Sequence, residues 1–341
     1  MGNCKIKKQY HDGNYNAIDL VKFIMSICVV AIHTRPLINC KSDIIVQLYD
    51  CCVVLAVPFF FICAGFFLGR KLVADNAGKY NDLTPIYIYL KKVILLYVSG
   101  TVLYLPLTII GFRIWNNSLL TSFIKFIRNF LIVGENYNSW SLWYLLSTIY
   151  ALLFLLILLK KSVDIKDIVI CGFIIIAVSI GIDYLVGFNG DLSWPLLVTK
   201  KVISSTIGGG WLFRGWFYIP LGVLLATKPA LPFRSGVLLF LLGFALDYIL
   251  VGVVSKFTVI LSAIGFFLIV VHIELPDSAL YKKLRTISND IYLLHLLIWS
   301  IYYKLVYGEP TFGFDCFIIT SIISIVCSCV ISHFRKRKML H

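Results

Sequence analysis

Ten stretches of this chain are apolar over lengths near the twenty residues that carry a helix across a hydrocarbon core: 18–35, 45–68, 87–112, 140–159, 167–188, 209–227, 235–254, 257–274, 287–307 and 314–334. No other feature narrows the possible folds so far. Hydrocarbon offers the backbone no hydrogen-bond partners, so each orphaned amide or carbonyl is costly. A helix satisfies these groups within itself, whereas a membrane β-barrel would need alternating segments of roughly ten residues. The runs here are long and do not alternate. The sequence therefore predicts an all-α, polytopic membrane bundle of about ten transmembrane helices. Composition points the same way, with 60% hydrophobic and 14% charged residues against about half and about a quarter in soluble domains.

The formal net charge of +14 would suggest nucleic acid in a soluble protein. Here no basic stretch is interleaved with a recognition motif, and no nucleic-acid partner is expected. The cations instead cluster between spans: Lys5-Lys7-Lys8, Arg70-Lys71 with Lys79 and Lys91-Lys92, Lys160-Lys161, Lys282-Lys283-Arg285, and Arg335 to Lys338. Such clusters determine topology and attract anionic lipid, and their distribution predicts both termini in the cytoplasm. The expected organisation is a cytoplasmic segment over 1–17 with no cleavable signal, a transmembrane domain over 18–334 and a basic cytoplasmic tail over 335–341. Leu119 to Val133 sets Lys125 and Arg128 against Leu, Phe and Ile, the pattern of an interfacial segment. Most cysteines fall inside apolar runs, where a thiol behaves as a small hydrophobe. No metal-ligand spacing appears, and Cys40 is the one outside partner available to Cys51 or Cys52. No internal repeat is visible.

Ionisable groups inside spans are expensive unless they face the bundle or water, which makes them informative. In the first span Asp19, Lys22, Ser26 and His33 follow at intervals of 3, 4 and 7 residues, so they fall on one helical stripe. Two readings are open. Asp19 and Lys22 form a structural pair with His33 as a solvated cap, or His33 is a general base or acyl acceptor, since neutral imidazole can take a proton from a hydroxyl or attack an acyl carbonyl. Arg214, an isolated cation among Trp211, Phe213, Trp216 and Phe217, could meet a substrate anion, pair with Glu135 or Asp191, or anchor the interface. Trp140 and Trp143 open the fourth span as belt residues or as a platform for a sugar or adenine. His295 reads as a packed histidine or as one that touches substrate. Asp247 and His272 also lie inside spans, without an evident partner.

Ile18-Asp19-Leu20-Val21-Lys22, then His33 eleven positions after Lys22, then Val57-Pro58-Phe59-Phe60-Phe61-Ile62-Cys63-Ala64-Gly65-Phe66-Phe67 resemble the integral-membrane acyltransferase-3 family. Its members begin with Asp-x-x-Arg, carry a basic residue eleven positions before a histidine, and end the second span in a Phe-rich Ser/Ala-Gly-Phe/Tyr stretch. The chain also resembles the membrane domain of VanT-type serine racemases of vancomycin resistance, through Val30 to Leu37, Ala56 to Phe61, Leu142-Trp143-Tyr144, Arg214 with Pro220 to Val223, and Ile291 to His295.

The resemblance implies a multi-pass protein of the bacterial cell membrane. It implies that His33 is catalytic, that Lys22 takes the role of the first-helix arginine beside Asp19, and that Arg70, Lys71, Lys91 and Lys92 meet an acyl-CoA donor such as acetyl-CoA. The family's Arg-x-x-Arg at the third span is absent, since Lys91-Lys92 is followed by Leu95. The expected activity is O-acyl transfer to an envelope glycan or small hydroxylated acceptor, without a metal. Trp143, Arg214 and His295 are the candidate substrate contacts, with membrane lipids and a separate soluble protein as partners. Uptake of serine or a similar small amino acid is the alternative, with Asp19 or Lys22 pairing its charged ends.

Overall fold

The computed structural model describes residues 15–73, 79–116, 118–227, 231–250 and 252–338; Lys5-Lys7-Lys8 and Met339 to His341 lie outside them. The order is α1 (Asn16–Thr34), α2 (Asp43–Val53), α3 (Ala56–Gly69), α4 (Thr84–Ile114) and α5 (Leu119–Arg128), which continues into a π-helical turn, Asn129–Val133. A 3-10 turn, Trp140–Leu142, leads into α6 (Trp143–Lys160), followed by α7 (Ile165–Gly187) and α8 (Trp194–Thr206). Another 3-10 turn, Trp211–Phe213, precedes α9 (Gly215–Thr227), and α10 (Phe233–Ile249), α11 (Val253–Val271), α12 (Ala279–Val306) and α13 (Phe314–Lys338) complete the chain.

Every apolar stretch read from the sequence is helical, and among the described residues there is no β-strand. Seven segments are long and apolar enough to cross a membrane by length and composition. The other three spans are shorter or mixed. The segment Trp211–Thr227 is apolar but short, α10 has 17 residues, and α12 carries Lys282, Lys283 and Arg285 in its first turns.

Two features depart from the sequence reading. The single span expected over 45–68 is a helix pair bent at Val54 and Leu55. Pro58 explains the break: it sits in the first turn of α3, where its missing N–H leaves no bond unmade, and a continuous helix would drive its ring into the Val54 carbonyl. The second is α8, which was not expected. It opens at Trp194-Pro195 and buries no residue along its length.

Close backbone contact holds the centre of the bundle. Gly65 and Gly69 of α3 form a Gly-x-x-x-Gly face against α9, the pattern by which membrane helices approach when no hydrophobic effect drives them together. A Cβ at Gly65 would lie 2.0 Å from the Ile219 carbonyl oxygen, and one at Gly222 would lie 2.2 Å from that of Ile62. The α10–α11 pair packs equally closely, with Gly265 against the Phe240 backbone. The first helix is clasped by α12, α13 and α3, while α4 lies along α6 and scarcely touches α3. That gap leaves the cavity described next. All nine described cysteines are free thiols, Cys40, Cys51 and Cys52 among them.

Candidate active site

The polar stripe of α1 divides its members among different tasks. Lys22 and His33 face a cavity of about 460 Å³ walled by α1, α3, α4, α6 and α12. Asp19 is buried behind it and ion-pairs with Arg285, 3.4 Å from the guanidinium Nε. Ser26 turns its hydroxyl onto the Phe23 carbonyl at 2.7 Å, capping its own helix backbone. At 1.5 Å per residue, Lys22 and His33 stand about 16 Å apart along the helix.

One end of the cavity is cationic. Lys22, Lys71, Lys92 and Arg285 line it, and no carboxylate does. The Lys22 ammonium lies 4.9 Å from the Phe67 ring centre, and its backbone carbonyl accepts the Ser288 hydroxyl at 3.1 Å. Among the described residues no carboxylate forms an ion pair with Lys22, Lys71 or Lys92. The middle is apolar, with Val29, Val57, Phe60, Ala64 and Val93 on its walls. Such a path admits a flexible, largely apolar ligand segment whose anionic end stays with the cations.

The other end holds His33, Ser141, Trp143 and Tyr144. The first helix stops there because Arg35 takes a left-handed conformation, φ 46°, returns its N–H to the Ala31 carbonyl at 2.9 Å, and is followed by Pro36. The His33 ring centre lies 5.3 Å from that of His295 and 6.2 Å from that of Trp140. His295 is fully buried and sits 3.0 Å through Nδ1 from the Ile291 carbonyl. A carbonyl only accepts, so Nδ1 carries the proton and Nε2 a lone pair. That Nε2 is buried without a hydrogen-bond partner. Further along α12, Tyr292 donates its hydroxyl to the Ser141 carbonyl, fixing α12 against the start of α6.

Five of the expected site residues therefore converge on one cavity: His33, Lys22, Lys71, Lys92 and Trp143. Asp19 and His295 stand directly behind it. Arg70 and Lys91 are absent from its lining; Arg70 lies over the Tyr15 ring, 4.5 Å from its centre, and Lys91 is exposed.

Arg214 forms a separate arrangement. Its guanidinium pairs with Asp183 at 2.9 Å and lies 5.2 and 5.8 Å from the Trp211 and Trp143 ring centres. Asp183 also accepts the Gly210 N–H at 2.7 Å. The partner is thus neither Glu135 nor Asp191, and Asp183 escaped notice inside the apolar run of α7. Glu135 makes no ion pair among the described residues, and burial pushes its carboxyl up to about 7.

Sequence reasoning treated Arg285 only as part of a topology cluster and did not single out Tyr144, Ser288, Asn289 or Tyr292, all of which line the cavity. Asp247 and His272 have local partners, the Thr258 hydroxyl at 3.3 Å and the Leu268 carbonyl at 2.7 Å. Among the described residues no three His, Cys, Asp or Glu side chains group so as to hold a metal ion.

A helical bundle of this kind, with seven segments long and apolar enough to cross a membrane and an internal cavity lined by Lys22 and His33, is a multi-pass membrane protein. The chain belongs to the acyltransferase-3 family, whose model, described as an acyltransferase domain, matches residues 15–333. Two proteins of Enterococcus faecalis, each named an amino-acid racemase, are 31% identical over 52% of this chain and 30% identical over 62% of it; the matches cover 23% and 27% of their own lengths. A serine/alanine racemase of Enterococcus gallinarum is 30% identical over 55% of the chain and 24% of its own length. The chain thus spans about a quarter of the curated relatives it matches. No solved structure matches it.

Proposed function

We propose that this protein is an O-acyltransferase that takes an acyl group, in the simplest case acetyl, from a cytoplasmic acyl-CoA and passes it to a hydroxyl of an envelope glycan or related acceptor. The supporting observation is the cavity itself, with four unneutralised or partly neutralised cations at one end, an apolar middle and His33 at the other. The donor phosphates sit with Lys22, Lys71, Lys92 and Arg285 on the cytoplasmic side, and the thioester reaches His33. A ring nitrogen of His33 takes the proton of the acceptor hydroxyl as its oxygen attacks the thioester carbonyl. The C–O bond forms, the C–S bond breaks, and the imidazolium returns the proton to the departing thiolate. Trp143 flanks the reacting end as a surface for the acceptor ring.

Uptake of a zwitterionic amino acid is less well supported. It needs a carboxylate and a cation facing the space that holds His33, and Asp19 instead lines a separate pocket with Asp277, Lys282 and Arg285.

The test is transfer from radiolabelled acetyl-CoA by purified protein in nanodiscs to an added envelope fraction, with His33→Ala as the comparison. Label that moves with the wild type and not with the variant supports the reading; equal transfer by both rejects it.

A further inference from the structure

We propose that His295 is the positioning residue for His33: its Nε2 accepts the inward ring N–H of His33 and so leaves the other His33 nitrogen as the base facing the cavity. This rests on the acyl-transfer reading for the role of His33, although the pairing itself does not.

A histidine that works as a base needs one ring nitrogen held as a donor so that the other keeps its lone pair, and the second partner is commonly a carboxylate or a backbone carbonyl. His33 has neither. Among the described residues it makes no hydrogen bond, and the ion pairs engage Asp183 with Arg214, Asp19 with Arg285 and Asp290 with Arg335, none of them His33. The group beside it is His295, 5.3 Å away between ring centres.

The tautomer of His295 is set from behind. Its Nδ1–H is committed to the Ile291 carbonyl at 3.0 Å, so Nε2 can only accept. That atom is buried and has no partner, in a residue with no exposed surface. Leaving such an acceptor unmatched in a low-dielectric interior costs free energy that one N–H donor removes. His33, its ring centre 5.3 Å away, is placed to supply it by a small ring displacement or through one bridging water. During transfer, His33 becomes a two-proton imidazolium. One N–H stays on His295 Nε2 while the other goes to the leaving sulfur, and His295 itself gains and loses no proton.

The experiment combines activity with a tautomer readout on full-length protein in nanodiscs. Wild type, His295→Gln and His295→Leu are compared for acetyl transfer and acetyl-CoA binding, and histidine-selective nitrogen-15 spectra are recorded with His33→Ala assigning the His33 signal. The expected result has three parts: a single neutral His33 tautomer in wild type, a mixture in His295→Leu, and a fall in turnover of at least about a hundredfold with acetyl-CoA affinity unchanged. The side-chain carbonyl of Gln is an acceptor, so His295→Gln keeps the wild-type tautomer and most of the rate.

A His33 tautomer that is mixed in wild type, or that His295→Leu leaves unchanged, overturns the proposal. Should His295→Leu fail to fold, the wild-type and His295→Gln spectra still decide. A fixed tautomer in a protein that transfers no acyl group would sustain the pairing and reject the acyltransferase reading instead.

Discussion

The hydroxyl of Tyr104 on α4 donates to the Leu293 carbonyl at 2.8 Å and accepts the Leu297 N–H at 3.2 Å, bridging one turn of α12 on either side of His295. Tyr104 is 1% exposed, so these bonds form where water does not compete. Tyr104→Phe removes the bridge without changing the ring. The variant is expected to lose about 1–3 kcal/mol of stability, seen as a lower melting temperature in detergent, and an unchanged melt would show that the bridge contributes nothing.

Gly65 tests the central seam. An added methyl would meet the Ile219 carbonyl oxygen at 2.0 Å, and backbone on both sides leaves no flexible side chain to yield. Gly65→Ala is expected to destabilise by about 1–3 kcal/mol or more through overpacking. Gly181→Ala, where a Cβ meets nothing within 4 Å, serves as the tolerated control. Size-exclusion profiles of tagged protein after a heat challenge compare the two.

The cation cluster makes a prediction about binding alone. Lys71→Gln or Lys92→Gln should weaken acetyl-CoA binding about tenfold each, the scale of a charge-assisted hydrogen bond, with turnover at saturation nearly unchanged. Lys91→Gln, outside the cavity lining, should stay within about twofold. Added salt should narrow the difference between wild type and the first two variants. Equal affinity in all four proteins would move the donor elsewhere.

The Glu135 carboxyl is raised to about 7 by burial, so the folded protein holds this proton more tightly than the unfolded chain does. Stability from this site is therefore full at low pH and lost as pH rises from about 4.5 through 7. Glu135→Gln keeps the neutral form at every pH. It should match wild type near pH 4 and melt higher at pH 8, and a constant difference across that range would contradict the assignment.

How far the sequence foresaw this molecule follows from the range of each signal. Apolar length is local, and each of the ten stretches it marked is helical, seven of them long and apolar enough to cross a membrane. The break at Val54 was also written locally, in Pro58, but the surrounding hydrophobicity masked it. His33 and Lys22 were recognisable because helical periodicity places them on one face of a single element. That His295 lies behind His33 depends on how α1 and α12 pack, and no local pattern encodes a contact between residues so distant in sequence. The same limit hid Arg285 beside Asp19 and Asp183 beside Arg214. In the second case the carboxylate was also disguised by the apolar run around it. The exposed α8 was missed because Lys200 and Lys201 interrupt an already short hydrophobic stretch.

The seam between α3 and α9 also fixes which part of the bundle is able to move. With carbonyls lodged against Gly65 and Gly222, there is no layer of side chains to change rotamer and no room for one helix to ride over the other. These two helices travel as a single body. By contrast, α4 meets α3 only slightly and contributes Lys92 and Val93 to the cavity wall. Any opening of the cavity wall therefore falls along the seam between α3 and α4, and His33, on a helix packed against α12, α13 and α3, is not part of that seam.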